Sequence, residues 1–184
     1  SAQEDAAYLS FDRERCLLYA LSESNDLRKS ILNVYRWNGE QLSLLTSRQL
    51  GAIGACHITH SGNALLLSYY SGGAAELFGL DQDGLPEENS AFVLYQQGSG
   101  PMPQQNASHI HWGSISQSSN YSCEFLLIDL GNDTISRYLC TRLSSESESE
   151  LSCEMIFAMP PGSGPRHAVV DNKSQLLYVL TELS

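Results

Sequence analysis

The segment ACHITHSGNALLLSYYSGGAAELFGLDQDG (residues 55–84) contains three short apolar runs, ACHIT, ALLLSYY and AAELFGL, which are separated by turns rich in glycine, serine and aspartate. A fourth run, AFVLYQ, follows closely. Runs of about four to eight residues between such turns are typical of β-strands. The segment therefore predicts strands that follow one another through short connections.

The same arrangement recurs along the chain. The runs AYLSF, RCLLYAL, ILNVYRW and QLSLLTS precede it, HIHWGSI, CEFLLIDL, TISRYLC and CEMIFAM follow it, and RHAVV and LLYVLTEL end the sequence. A repeat of about 50 residues that contains four strands is typical of a β-propeller blade. We predict an all-β fold of four-stranded antiparallel blades: residues 1–50, 51–105, 106–160 and a half-blade at 161–184. A β-sandwich is the alternative, and it needs no repeat.

The repeats also suggest equivalent positions. Cys56-His57, His111 and His167 each begin a group, and Glu182 is predicted to occupy the same blade position as Asp129 and Tyr69. The polar stretch RLSSESESELS (residues 142–152) predicts a solvated loop between strands of the third blade.

The net charge and the absence of certain motifs argue against several functions. The net charge of −11 argues against nucleic acid and anionic membranes as partners, and no apolar run reaches the roughly 20 residues of a membrane span. No Gly-x-Ser-x-Gly, His-Glu-x-x-His or Gly-Lys-Ser/Thr motif supports a serine hydrolase, zincin or nucleotide-binding protein. Five cysteines without a Cys-x-x-Cys pair, together with no visible signal peptide, predict free thiols in the cytoplasm.

Four side chains are candidates for chemistry. His109 and His111 are two residues apart, so both could face one cavity as metal ligands or as an acid–base pair. One of them could instead pack while the other bonds to the backbone. Arg166 could bind a carboxylate or phosphate, or tie down a loop carbonyl. Glu182 could be a general base or a surface residue.

Three segments resemble the seven-bladed lactonase family, which includes bacterial 6-phosphogluconolactonase and the fungal 3-carboxy-cis,cis-muconate lactonizing enzyme. They are GACHITHSGNALLLSYYSGGAAELFGLDQDGLP (54–86), GSGPMPQQNASHIH (98–111) and PPGSGPRHAVVDNKSQLLYVLTELS (160–184). The resemblance implies a seven-bladed propeller with a central funnel, of which this chain forms about three and a half blades.

The resemblance also implies a site. It assigns catalytic roles to His111, Arg166 and Glu182, and it places a further family arginine beyond Ser184. We expect His57, His109 and His167 to contact the substrate. Ser108 and Thr181 replace the proline and asparagine that the family commonly has, and neither change removes a charged group.

The implied reaction is the hydrolysis of a sugar-acid lactone without metal or cofactor, in which His111 and Glu182 share the proton transfers. The alternatives are cycloisomerisation of a carboxymuconate and a non-catalytic propeller scaffold. The expected partner is a small anionic lactone or carboxylate. Two copies of three and a half blades would also add up to seven, so a closed homodimer is a further alternative to a propeller whose other half is missing.

Overall fold

The computed structural model describes residues 6–88, 91–141 and 149–184. Its strands form antiparallel sheets in which each strand pairs with the next one along the chain. The first sheet contains β1 (Ala6–Asp12), β2 (Leu17–Ser22), β3 (Ile31–Trp37) and β4 (Leu42–Gln49). The second contains β5 (Ala55–Ser61), β6 (Ala64–Tyr69), β7 (Ala74–Gly79) and β8 (Phe92–Tyr95). The third contains β9 (Ile110–Ser118), β10 (Ser122–Asp129), β11 (Thr134–Thr141) and β12 (Glu150–Ala158), and the fourth contains β13 (Pro165–Asp171) and β14 (Leu176–Thr181). Short 3-10 helices at Leu27–Lys29 and Pro103–Gln105 lie in connections.

The predicted all-β fold of four-stranded antiparallel sheets is confirmed, and each apolar run of the sequence corresponds to one strand. The blade boundaries stay a prediction. The loop predicted at residues 142–152 is wrong at its end, because β12 begins at Glu150 and pairs with β11 from Thr141. Polar residues are tolerated there because β12 is an exposed outer strand. Residues 142–148 of that prediction lie outside the described residues.

The first strands of the sheets lie side by side: β1 contacts β5, β5 contacts β9, and β9 contacts β13. The later strands of each sheet follow outward in order. This arrangement is that of a β-propeller, in which blades pack face to face around a centre. The centre is therefore lined by the beginnings of β5, β9 and β13, where the candidate residues lie.

The hydrophobic core lies between neighbouring sheets. Every residue of β6 is buried, and successive side chains point to opposite faces of the strand. Leu65 and Leu67 pack in the cluster shared with the first sheet, whereas Leu66 packs in the cluster shared with the third sheet. A sheet with neighbours on both faces needs apolar residues at every position, which explains the unbroken run ALLL.

The outer faces of the first and fourth sheets expose apolar side chains, unlike the buried faces between neighbouring sheets. Leu9 and Phe11 of β1 are exposed, and so are Val169, Tyr178 and Leu180 of the fourth sheet, with Leu180 at 65%. In β1 and β14 the exposed side chains alternate with more buried ones, as expected where only one face is covered. Both end faces therefore present apolar surface of the kind that marks an interface.

Replacing a side chain between the second and third sheets tests this packing. Leu66 is fully buried, so Leu66→Ala should lower the free energy of unfolding by about 2–5 kcal/mol. The matched control, Leu27→Ala, removes a leucine that is 47% exposed, and it should change that free energy by about 0.5 kcal/mol or less. Urea unfolding of both variants measures the difference, and equal effects would contradict the packing described here.

Candidate active site

A β-bulge occurs at the start of the innermost strand of each sheet. The pairing register skips Ala7, Cys56, His111 and Arg166, and their neighbours on both sides remain paired with the second strand. A bulged residue is left out of the ladder, and the distortion re-aims its side chain. The same backbone device therefore positions His111 and Arg166 in adjacent sheets.

The bulges correct the predicted alignment of the repeats. His111 is equivalent to Cys56, 55 residues before it, and to Arg166, rather than to His57 and His167. His57 and His167 occupy the next position, which Trp112 fills in the third sheet. Matching the three histidines by residue type is therefore misleading, because His57 and His167 lie one position after the bulge and His111 lies in it.

The predicted position of Glu182 is wrong by one residue. Tyr69, Asp129 and Thr181 are the equivalent last residues of β6, β10 and β14. Glu182 follows β14 directly, and its backbone N–H donates to the Gly164 carbonyl at 2.8 Å. Tyr70 makes the equivalent bond to Gly54, also at 2.8 Å. Tyr70 is therefore the counterpart of Glu182 in the second sheet.

A buried carboxylate fixes the loop that leads into β9. Asp129 Oδ1 accepts the backbone N–H of His109 at 2.8 Å, and its Oδ2 accepts the hydroxyl of Ser108 at 2.6 Å. The loop also passes close to the turn after β10. A glycine is needed at position 131, because a Cβ there would overlap the Ala107 carbonyl oxygen. The end of β10 and the turn after it thus fix the path of the backbone that leads to His111.

A second buried carboxylate fixes the loop before Arg166. Asp133 accepts backbone N–H groups of Gly164 at 2.8 Å and of Gly162 at 2.6 Å, and the hydroxyl of Ser163 at 3.2 Å. Burial acts to raise the pKa of Asp133, but these hydrogen bonds outweigh burial and hold that pKa below its usual range. Asp133 lies in the turn between β10 and β11, so this contact ties the loop before the fourth sheet to the third sheet.

His109 is occupied by contacts within the protein. Its ring stacks on Tyr70 with the ring centres 4.2 Å apart, its Nδ1 lies 2.9 Å from the Tyr70 carbonyl oxygen, and its Nε2 lies 3.2 Å from Oδ1 of Asn106. The side chain is 9% exposed. These contacts agree with the alternative that this histidine packs and bonds to the backbone. Substrate contact by His109 stays a prediction.

His111 lies at the meeting point of the candidate residues. Its ring centre is 5.0 Å from that of His167 and 5.5 Å from that of Tyr70. Burial lowers the pKa of His111 to about 4, and the positive charge of Arg166 acts in the same direction. At neutral pH the imidazole is therefore uncharged and able to accept a proton. Its buried Nδ1 has no hydrogen-bond partner among the described residues.

His57 and His167 differ in their access to this point. His57 is almost fully buried, with Tyr8, Trp112 and His167 around it at ring-centre distances of 4.6, 5.9 and 6.0 Å. Burial lowers the pKa of His57 to about 3, so it packs as a neutral ring. His167 is half-buried and touches both His57 and His111. The structure thus brings His167 to the site and places His57 behind it.

Arg166 and Glu182 form an ion pair between the two ends of the β13–β14 hairpin. Their side chains are 43% and 35% exposed, so a ligand can reach both. Within the described residues, no group of three His, Cys, Asp or Glu side chains is arranged to hold a metal ion. The arrangement offers one fixed positive charge, one carboxylate and one neutral imidazole.

Two residues of the site were missed by sequence reasoning. Tyr70 contacts His109 and His111, and its position after β6, equivalent to Glu182, is the signal that could have found it. Cys56 lies behind the site, and its Sγ is 3.6 Å from the His111 carbonyl oxygen. Burial raises the pKa of Cys56 to about 12, so its thiol is a packing group rather than a nucleophile.

Over residues 1–184 the chain matches the family described as Lactonase, 7-bladed beta-propeller, and it belongs to that family. The resemblance predicted from the sequence is thereby confirmed. The chain is 24% identical over 180 residues to the 6-phosphogluconolactonase of Bacillus subtilis (strain 168), covering 96% of this chain and 48% of that protein. It is 29% identical over 150 residues to the 6-phosphogluconolactonase of Formosa agariphila, covering 80% of this chain and 41% of that protein.

The fold is also that of a solved structure, the periplasmic gluconolactonase PpgL of Pseudomonas aeruginosa. The TM-score is 0.76 at 22% identity, and the match covers 97% of this chain and 51% of PpgL. This chain therefore spans about half the length of the relatives it matches. In the described part of the chain, no helix has the length and apolar character needed to cross a membrane.

The Asp133 contact with residues 162–164 can be tested by an isosteric change. Asp133→Asn should lower the free energy of unfolding by about 1–3 kcal/mol, because an amide nitrogen would face backbone donors that now bond to a carboxylate oxygen. Asp83→Asn is the matched control, since Asp83 is exposed in a turn. Thermal and urea unfolding give the comparison, and a loss no greater than that of the control would show that this contact does not hold the loop.

Proposed function

We propose that the protein carrying this chain hydrolyses the lactone of a sugar acid. The observation that carries the proposal is a neutral His111 that contacts His167 and lies within the electrostatic influence of the Arg166–Glu182 ion pair, in a chain of the seven-bladed lactonase family. The names of the two 6-phosphogluconolactonase relatives favour hydrolysis over cycloisomerisation. Lactone hydrolysis needs a base for water, a positive group for the developing oxyanion and a proton for the leaving oxygen. His111 supplies the base and returns the proton, Arg166 supplies the positive charge, and Glu182 stabilises the protonated form of His111.

Arg166 binds the anionic part of the ligand or the carbonyl oxygen. When water adds to the carbonyl carbon, negative charge develops on that oxygen, and a fixed guanidinium stabilises it. Arg166 is already held in place by Glu182 and by the Asp133-bound loop, so little reorganisation accompanies the reaction. Its partial exposure leaves N–H donors free to turn toward a ligand.

His111 transfers the proton, and Glu182 stabilises the protonated imidazole. Neutral His111 accepts a proton from the attacking water, the ring C–O bond breaks, and the imidazolium returns a proton to the leaving alkoxide oxygen. The carboxylate of Glu182 stabilises the transient imidazolium, since its charge favours the protonated form of His111. The products are the opened carboxylate and a proton released to solvent. His167 is proposed to bind the substrate beside His111.

The ligand and the surroundings of the chain follow from the same site. The proposed partner is a small anionic lactone or carboxylate that Arg166 can bind. Further blades are proposed to cover the apolar end faces, and a second copy of the chain would cover them in a closed dimer. All five cysteines are free, which supports the cytoplasm as the compartment, whereas the relative PpgL is periplasmic.

Alanine substitutions in the full-length protein test the assignment. His111→Ala and Glu182→Ala should each lower kcat/KM for δ-6-phosphogluconolactone by about 100-fold or more. This is the effect expected for a general acid–base group and for the carboxylate that stabilises its protonated form. Arg166→Ala should lose about 100- to 1,000-fold, as expected for an oxyanion-stabilising group. Initial rates, corrected for spontaneous hydrolysis, give these values.

Matched controls exclude general damage to the protein. His60→Ala, Arg28→Ala and Glu154→Ala remove the same residue types outside the site. His60 bonds to Ser10 of the first sheet, whereas Arg28 and Glu154 contact residues close to them in sequence. These variants should hydrolyse the lactone at nearly the wild-type rate. No hydrolysis above the spontaneous rate by the wild type would reject the proposed function. Full activity of the three site variants would reject the site.

The low pKa of His111 predicts a particular pH profile. Because the base must be neutral, kcat/KM should stay level from about pH 8 to pH 5 and fall only as the pH drops through about 4. An ordinary, solvated histidine would instead lose its base function near 6.5. A fall centred there would show that His111 is solvated in the working enzyme or is not the base.

A further inference from the structure

We infer that Tyr70 is a substrate-contacting residue whose hydroxyl hydrogen-bonds to a hydroxyl or carboxylate oxygen of the bound sugar acid. The inference rests on the proposed function and adds a residue to its site. It is carried by three observations: the position of Tyr70 in the repeat, the fixation of its ring by His109 and His111, and the effect of the Glu182 and Arg166 charges on its hydroxyl.

The position comes from the sheet register. Tyr70 follows β6 as Glu182 follows β14, and each donates its N–H to the carbonyl of the glycine that precedes the adjacent inner strand, Gly54 or Gly164. The blades of a propeller repeat around a central axis, so equivalent positions of different blades lie at the same depth along the funnel. Tyr70 therefore lies at the level of Glu182 along the funnel, two sheets away around the centre.

The ring is fixed before any ligand arrives. His109 stacks on it at 4.2 Å with an interplanar angle of 9°, and the Nδ1 of the same histidine lies 2.9 Å from the Tyr70 carbonyl oxygen. His111 meets it in an edge arrangement at 5.5 Å and 73°. His109 is itself anchored through the Asp129 carboxylate. Two neighbouring elements thus hold Tyr70, so little side-chain entropy is lost when it binds a ligand.

The hydroxyl lies in the field of the proposed catalytic groups. Burial raises the pKa of Tyr70, the negative charge of Glu182 raises it further, and the charge of Arg166 acts in the opposite direction. The phenol is therefore neutral at pH 7, and a neutral O–H group can both donate and accept. Among the described residues the hydroxyl has no protein hydrogen-bond partner. A sugar acid, with several hydroxyl groups, matches such a donor–acceptor group beside a guanidinium.

Tyr70→Phe in the full-length protein separates the hydroxyl from the ring. The phenyl ring keeps the stacking on His109 and the edge contact with His111, so only the ligand contact is removed. We expect KM for δ-6-phosphogluconolactone to rise about three- to tenfold, the effect of one neutral hydrogen bond, with kcat changed by less than about twofold and Tm unchanged. Tyr121→Phe is the control, because Tyr121 is 80% exposed in the β9–β10 turn.

The outcomes separate this inference from the proposed function. Wild-type kinetics in Tyr70→Phe, or a fall in kcat with KM unchanged, would overturn substrate contact by the hydroxyl in the bound state. If the wild type does not hydrolyse the lactone, the proposed function fails, and calorimetric binding of 6-phosphogluconate decides the role of Tyr70. Weaker binding by the phenylalanine variant alone would then support the inference. Equal binding by both proteins, or no binding by either, would overturn it.

Discussion

The β-bulge at the start of each innermost strand is the feature on which the site depends. It leaves one residue outside the hydrogen-bond ladder in the same register of every sheet, at Ala7, Cys56, His111 and Arg166. The register shift is the same at each position, while the side chains differ from small to charged. The repeat therefore supplies a set of equivalent sites around the centre, and only some of them carry groups suited to catalysis.

Burial then decides which groups at the centre are charged. His57 and His111 are held where water is largely excluded, and both are neutral at physiological pH. Arg166 and Glu182 remain partly exposed and satisfy each other, so an ion pair persists there at modest cost. A neutral imidazole near a fixed positive charge results from this gradient of exposure. The same residue types on a uniformly exposed surface would not have this property.

The elements of the fold could be predicted from the sequence because their signals are local. Strand length, apolar runs and turn residues each act within a few residues, and a repeat of four such strands leaves few architectures open. The start of β12 at Glu150 was not predictable, because its polar residues form a strand only through pairing with β11. For the site, the resemblance supplied His111, Arg166 and Glu182. The residues themselves left metal binding, acid–base chemistry and packing open for the two histidines.

The all-β fold, the order of the strands and the segments that contain the candidate residues follow from local sequence patterns. Which residues are equivalent is seen only in the folded structure, because the bulges mark the same register position in each sheet and so align His111 with Cys56 rather than with His57. The tertiary structure also decided that Tyr70 belongs beside His111, although 41 positions separate them along the chain. Such contacts form when sheets pack face to face, and no local pattern records which side chains then meet.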